Sequence, residues 1–218
     1  MVFNMLWTST LETLYMVFFS TVFALILGFP FGILLVITKE NGLWTHPKCH
    51  QILETVINVL RSFPFIILMI VLFPLSRVIT GTTIGSTAAI VPLAIGTAPF
   101  VARMIESSLS EVDSGLIEAS ESMGASNWTI ISRVMIPEAA SSLINEITIT
   151  IISLIGYSSM AGAIGAGGLG DLAIRYGYQR FQVDIMCYAI IILLLIVQLT
   201  QGIGNFLIHW RKKKLGQS

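Results

Sequence analysis

The chain has 218 residues, of which 55% are hydrophobic and 11% are charged, and its formal net charge is +0. A soluble domain carries about 25% charged residues, so this composition indicates an integral membrane protein. The balanced charge gives no bulk attraction for nucleic acid, and no nucleic-acid partner is expected.

Uncharged segments long enough to cross a bilayer recur along the chain. A helix needs roughly 20 residues to span about 30 Å of hydrocarbon. Five transmembrane helices are therefore predicted, at approximately 13–38, 53–75, 80–103, 138–160 and 184–209. Residues 17–36 are apolar on every side, which argues against a soluble helical core. The predicted fold is an all-α integral membrane protein with one transmembrane domain over residues 1–218.

Two ionisable residues, Arg61 and Glu146, fall inside the second and fourth predicted spans. Each lies about eight residues from the cytoplasmic end of its span, a depth of roughly 12 Å at 1.5 Å per residue. Charges inside a membrane commonly mark a functional site. Two interpretations remain open: the side chains pair or face one polar cavity, or each extends separately to the cytoplasmic interface.

The basic residues predict the orientation of the chain, because Lys and Arg accumulate in cytoplasmic loops. The basic tail at 211–214 indicates a C-terminus inside the cell, and five spans then place the N-terminus outside. Four further basic residues fall on the cytoplasmic side in this topology: Lys39, Lys48, Arg103 and Arg133. The first segment lacks the features of a cleaved signal peptide, so the first span is expected to remain as an anchor.

A polar segment at 107–137 joins the third and fourth spans on the cytoplasmic side. Within it, small or apolar side chains recur at a spacing of three or four, which predicts a short amphipathic helix: Leu116, Ala119, Ser120 and Met123. Asp113 or Ser114 can cap this helix.

Gly124 is expected to break the first short helix. Ser126 or Asn127 can then cap a second helix, and Pro137 is expected to mark its end. Such a helix, bend and helix could present an apolar stripe to a groove on a soluble partner, or it could lie on lipid headgroups.

The residues Glu118, Ala119, Gly124 and Pro137 resemble the EAA signature of permease subunits in bacterial ABC importers. The chain departs from that signature at Ser120, Val134 and Ile136, where the family has Ala, Ile and Leu. The resemblance implies that this loop is a coupling helix seated in a cleft of the ATP-binding subunit. It assigns coupling to Glu118, Ala119, Ser120, Gly124 and Pro137, with Pro137 setting the return into the fourth span.

Segments 61–68, 88–106 and 156–178 further resemble the methionine-uptake permeases of this class. The resemblance implies a homodimer with the solute path on its two-fold axis. It also implies two ATP-binding subunits, a lipid-anchored substrate-binding protein and a multi-pass location in the bacterial inner membrane. The chain itself would hold no cofactor, because ATP and Mg would be bound by the partner subunit. An importer for another amino acid, an ion-driven secondary transporter and a structural scaffold are the alternatives.

No arrangement of catalytic side chains stands out, so the chain is not expected to be an enzyme. The glycines at 165–170 satisfy the pattern G-x-G-x-x-G but follow a membrane span instead of a strand, so they predict close packing. His46, Cys49 and His50 are too few for a complete tetrahedral zinc site, and no metal is expected. Met160, beside Ser158 and Ser159, is a candidate gate, since a flexible thioether can plug a narrow constriction; packing against lipid is the alternative.

Overall fold

The structure is a computed structural model that describes residues 2–214. Within that part of the chain all regular structure is helical. The elements in chain order are α1 (Val2–Thr38), α2 (Pro47–Ser62), α3 (Phe65–Thr80), α4 (Ser86–Ser110), α5 (Ser114–Ser122), α6 (Asn127–Ile130), a π-helical turn (Ile131–Met135), α7 (Ile136–Glu138), α8 (Ala140–Ala163), α9 (Gly168–Leu172), a second π-helical turn (Ala173–Tyr178) and α10 (Val183–Lys214).

Helices α1 and α4 form the centre of the molecule. Gly28 and Gly32 on α1 face Val101 and Ile105 on α4, and a Cβ on either glycine would lie 2.6–2.8 Å from atoms of α4. Small residues let two membrane helices approach closely, so these glycines permit the tight α1–α4 contact. Buried apolar side chains on both helices extend this contact toward α6 and the turn that follows it.

The second predicted span, 53–75, is not one helix. Helices α2 and α3 meet at an angle of 103° across a break of a few residues. Phe63 has an extended backbone (φ −71°, ψ 132°), because the ring of Pro64 disfavours the α conformation in the residue before it. Proline also lacks the N–H that would continue the hydrogen-bond ladder. The single-helix prediction is wrong for this reason.

Four helices, α1, α4, α8 and α10, are long and apolar enough to cross a membrane, and the bent α2–α3 pair would make a fifth. Their limits differ from those predicted: α1 already begins at Val2, and α4 begins at Ser86 instead of near residue 80. Large apolar side chains point away from the protein along α10, among them Leu194, Leu199 and Phe206. A surface of this kind fits an integral membrane protein, for which lipid is the solvent.

Candidate functional site

Helix α5 lies at the predicted position in the polar segment and begins at the predicted cap. The Asp113 side chain accepts a hydrogen bond of 2.6 Å from the backbone N–H of Gly115. This bond satisfies one of the N–H groups that the first turn of a helix leaves free. The sequence prediction of a short capped helix is confirmed.

Neighbouring sides of α5 have different surroundings. Leu116, Ala119 and Met123 are exposed, and Met123 is 80% exposed. Ile117 packs against the apolar core beneath the helix, and Ser120 is buried, with its hydroxyl bonded to the Leu116 carbonyl. The apolar stripe therefore keeps three of its four predicted members at the surface, whereas Ser120 is buried with its hydroxyl bonded within α5.

Glu118 is also exposed, and it borders a groove of about 630 Å³ between α5 and the end of α1. Lys39 and Glu40 border the groove from the α1 side. Ile117, Glu118 and Glu121 border this groove from α5, whereas the three exposed residues of the apolar stripe do not.

Gly124 makes the bend after α5. Its φ is +79°, a left-handed conformation that side chains disfavour, and its N–H donates to the Glu121 carbonyl at 2.8 Å. The next N–H, of Ala125, donates to the carbonyl of Ser120, as in a glycine-terminated helix. The predicted break at Gly124 is confirmed.

The second helix begins at the predicted cap, because the Ser126 hydroxyl accepts a bond from the N–H of Thr129. It does not end at Pro137, as the sequence suggested. Ile136 N–H donates to Ile131, five residues back, and the helical path then passes through α7 toward α8. A proline cannot donate to the residue four before it, and the wider π turn accommodates that missing bond without ending the helix. The guanidinium of Arg211, on α10, donates to the Pro137 carbonyl.

Arg61 and Glu146 do not pair with each other within one copy of the described chain. Arg61 is exposed on α2. Because of the bend at Pro64, α2 does not continue the direction of α3, and it packs against α1 and α4. Glu146 lies on α8, and its Oε2 atom is buried with no hydrogen-bond partner among the described residues. A shared polar cavity and separate extension to the cytoplasmic interface both remain predictions.

Met160 lies near the end of α8, and its side chain is 47% exposed. Ser158 is buried and bonds the Ile155 carbonyl, so the two neighbours face in different directions. The gate role of Met160 stays a prediction, because an exposed side chain fits a residue that lines the solute path and one that contacts lipid equally well.

The glycine-rich segment at 165–170 folds back on α8. A Cβ on Gly170 would overlap the backbone of Ser159, so close packing is the role of this glycine. Two residues of α1 hold the segment from the other side: the Glu12 carboxylate accepts from Gly168 N–H at 2.7 Å, and the Thr13 hydroxyl accepts from Leu169 N–H. Sequence reasoning missed both contacts, since they join positions 156 residues apart.

A second missed feature is a polar network between α2 and α4. Arg103 donates to Glu106 on its own helix and to Glu54 and Asn58 on α2. The spacing of four between Glu54 and Asn58 places both on one helix face and is the signal that could have suggested it.

Comparison with known proteins places these features in context. A sequence model for the family described as binding-protein-dependent transport system inner membrane component matches residues 28–212. The chain is 50% identical over 199 residues to the probable D-methionine transport system permease protein MetI of Pasteurella multocida (strain Pm70), covering 91% of this chain and 92% of that protein. It is 46% identical over 202 residues to the methionine import system permease protein MetP of Bacillus subtilis (strain 168), covering 93% and 91%. Among solved structures, a chain of the MetNI methionine ABC transporter in an inward-facing conformation matches with a TM-score of 0.94 and 42% identity, covering 96% of this chain and 97% of that one.

Proposed function

We propose a function for this chain from its family: it belongs to the binding-protein-dependent transport system inner membrane components. It is the membrane-spanning permease subunit of an ATP-driven ABC importer that takes up methionine. The observation that carries this proposal is the agreement, over nearly the whole chain, with permeases named for methionine transport and with a chain of the MetNI transporter.

ATP hydrolysis belongs to a separate ATP-binding subunit in this proposal. Helix α5 docks on that subunit through its exposed apolar stripe of Leu116, Ala119 and Met123, with Glu118 beside it. The capped start and the left-handed turn at Gly124 support this role, because they fix the direction in which α5 faces. An exposed helical stripe held on a rigid element suits docking in a groove of a partner.

Two copies of the chain form the transport path on a two-fold axis, and each copy docks one ATP-binding subunit. A substrate-binding lipoprotein delivers methionine at the outer face. Closure of the ATP-binding subunits moves α5 and reorients the spans. ATP and methionine are then coupled through their different affinities for the two states of the transporter.

The complex lies in the bacterial inner membrane with the α5 side toward the cytoplasm. The basic end of α10, Arg211 to Lys214, supports this orientation because such residues stay on the cytoplasmic side. The N-terminus then lies outside.

Uptake of labelled methionine tests the proposal. The chain is expressed with its ATP-binding and substrate-binding partners in cells that lack their own methionine system. Unlabelled methionine in its L and D forms should suppress uptake, and collapse of the membrane potential at constant ATP should leave it intact. Suppression by another amino acid alone would contradict the methionine assignment. Loss of uptake when the membrane potential is collapsed would favour an ion-driven transporter.

A charge reversal at the docking helix tests the coupling role separately. Glu118→Lys should abolish uptake while the protein still reaches the membrane in normal amount, since Glu118 is exposed. Glu138→Lys is the matched control, because Glu138 is an exposed glutamate outside the proposed coupling set. Equal uptake in the two variants would overturn the coupling role of Glu118.

A further inference from the structure

Helix α2 is held loosely by apolar contacts. Ile57 is its one buried residue, and it packs with Leu35 on α1 and Ala102 on α4. A cleft of about 210 Å³ remains between α2 and these two helices, bordered by apolar side chains that include Leu60 and Pro99. Side chains do not touch across this cleft, so α2 lacks dispersion contacts that would hold it in one position.

A polar network supplies the specific connection that the apolar contacts lack. Arg103 Nη2 on α4 lies 3.0 Å from Glu54 Oε1 and 3.0 Å from Asn58 Oδ1, both on α2. Its Nη1 lies 2.6 Å from Glu106 Oε2. The planar guanidinium can bond all three oxygens at once, which the single ammonium of a lysine does less well.

The network is partly withdrawn from solvent. The side chains of Arg103 and Glu106 are 23% and 14% exposed, and that of Glu54 is 40% exposed. His50 extends the network along α2: its Nε2 lies 3.7 Å from Glu54, and its Nδ1 donates to the Leu35 carbonyl on α1. Charged hydrogen bonds are stronger than neutral ones, particularly where water is partly excluded.

Arg103 occupies a position between the two moving parts of the proposed transporter. Seven residues after it, α4 ends at Ser110 and the chain enters the capped helix α5. On the other side, α2 ends at Ser62, and the break at Pro64 leads into α3. Two of the three hydrogen bonds of Arg103, those to Glu54 and Asn58, therefore join the helix before the docking element to the helix before the bend.

We propose that Arg103 is a positioning residue that makes α2 follow α4, so that movement of α5 reaches the bend between α2 and α3. This inference rests on the proposed function, in which α5 moves with the ATP-binding subunits. The loosely packed α2 would otherwise stay behind, because its apolar contacts leave room for it to shift. Arg103 thus links ATP hydrolysis to the opening of the path without touching the solute.

The test measures methionine transported per ATP hydrolysed, in proteoliposomes that hold the complete transporter and its substrate-binding protein. Arg103→Ala should keep ATP hydrolysis near the wild-type rate and lower the ratio about tenfold, the scale of a typical coupling between two sites. Arg103→Lys should give an intermediate ratio. Arg175→Ala is the matched control, because Arg175 also forms an ion pair, with Asp171, but within the α9 region. The ratio of methionine to ATP in this variant should equal that of the wild type.

A second variant keeps the test decisive if Arg103→Ala fails to assemble. Glu54→Ala combined with Asn58→Ala removes both α2 oxygens that accept from Arg103 and leaves the Arg103–Glu106 pair in place. It should lower the ratio in the same direction, and an unchanged ratio in this double variant would overturn the proposal. A wild-type complex that hydrolyses ATP but takes up no methionine would instead refute the proposed function, and this inference with it.

Discussion

At the scale of single residues, two glycines are required for different physical reasons. Gly124 adopts a backbone conformation that a side chain disfavours, although open space surrounds it. Gly170 fits because its neighbour on α8 leaves no space for a Cβ. One substitution therefore strains the backbone, and the other produces overlap between two elements.

Gly124→Ala should weaken docking of the ATP-binding subunit without unfolding the chain. A non-glycine residue in the left-handed region costs about 1 kcal/mol, or up to about fivefold in affinity if the whole strain is released by changing the bend. Titration of the purified chain with the ATP-binding subunit measures this loss. Gly202→Ala is the control, because Gly202 lies within α10 with open space around it; an equal loss there would contradict the prediction.

Gly170→Ala should lower the thermal stability of the purified protein. The added methyl group would overlap the backbone of Ser159, and overpacking of this kind typically costs about 1–3 kcal/mol. Thermal unfolding in detergent provides the measurement. Gly156→Ala, on α8 but facing open space, should leave the melting temperature unchanged or raise it. A similar decrease in both variants would show that close packing is not the reason for Gly170.

At the scale of elements, α5 and the helix after it behave differently at their ends. Asp113 and Gly124 begin and end α5 through local hydrogen bonds, so neighbouring residues define it. The segment from Asn127 onward passes Pro137 because a π turn absorbs the missing N–H. The direction of α8 relative to α5 therefore depends on this wide turn.

Met123→Asp should weaken docking of the ATP-binding subunit and leave the folding of the chain unchanged. Met123, at the C-terminal end of α5, is 80% exposed, so the charge should leave stability unchanged and remove the apolar contact with the partner. Loss of one buried apolar side chain is worth about 1.5–3 kcal/mol, which weakens the affinity for the ATP-binding subunit by roughly one to two orders of magnitude. Ile84→Asp, 72% exposed between α3 and α4, is the control. Equal affinities would exclude the α5 stripe from the interface.

At the scale of the whole molecule, the exposed apolar surfaces fit contact with lipid. The basic end of α10 fits an orientation that is set by charge. The two cysteines provide a way to test that orientation. Cys49 and Cys187 are both exposed, and the proposed topology assigns them to opposite sides of the membrane.

A membrane-impermeant thiol reagent should label Cys49 only after the cells are permeabilised, in a chain that carries Cys187→Ser. Phe181, 85% exposed between the second π turn and α10, reports the other side. In a chain with Cys49→Ser and Cys187→Ser, Phe181→Cys should be labelled in intact cells. The reverse pattern would show that the C-terminus lies outside and would contradict the proposed docking of α5.

Sequence by itself determined the membrane class, the approximate positions of the long apolar helices and the capped α5 with its break at Gly124. Each of these depends on composition or on residues within a few positions of one another, so local patterns are sufficient. The family followed from motifs in the same segments.

Tertiary structure decided the 103° angle between α2 and α3, the passage of the helical path through Pro137, and the contacts of Glu12 and Arg103. A proline indicates that a hydrogen bond is missing, but the packing around it determines whether the helix bends or continues. The contacts of Glu12 with Gly168 and of Arg103 with Glu54 join residues far apart in the chain. Local spacing shows that Glu54 and Asn58 share a helix face, but it does not show which helix that face meets.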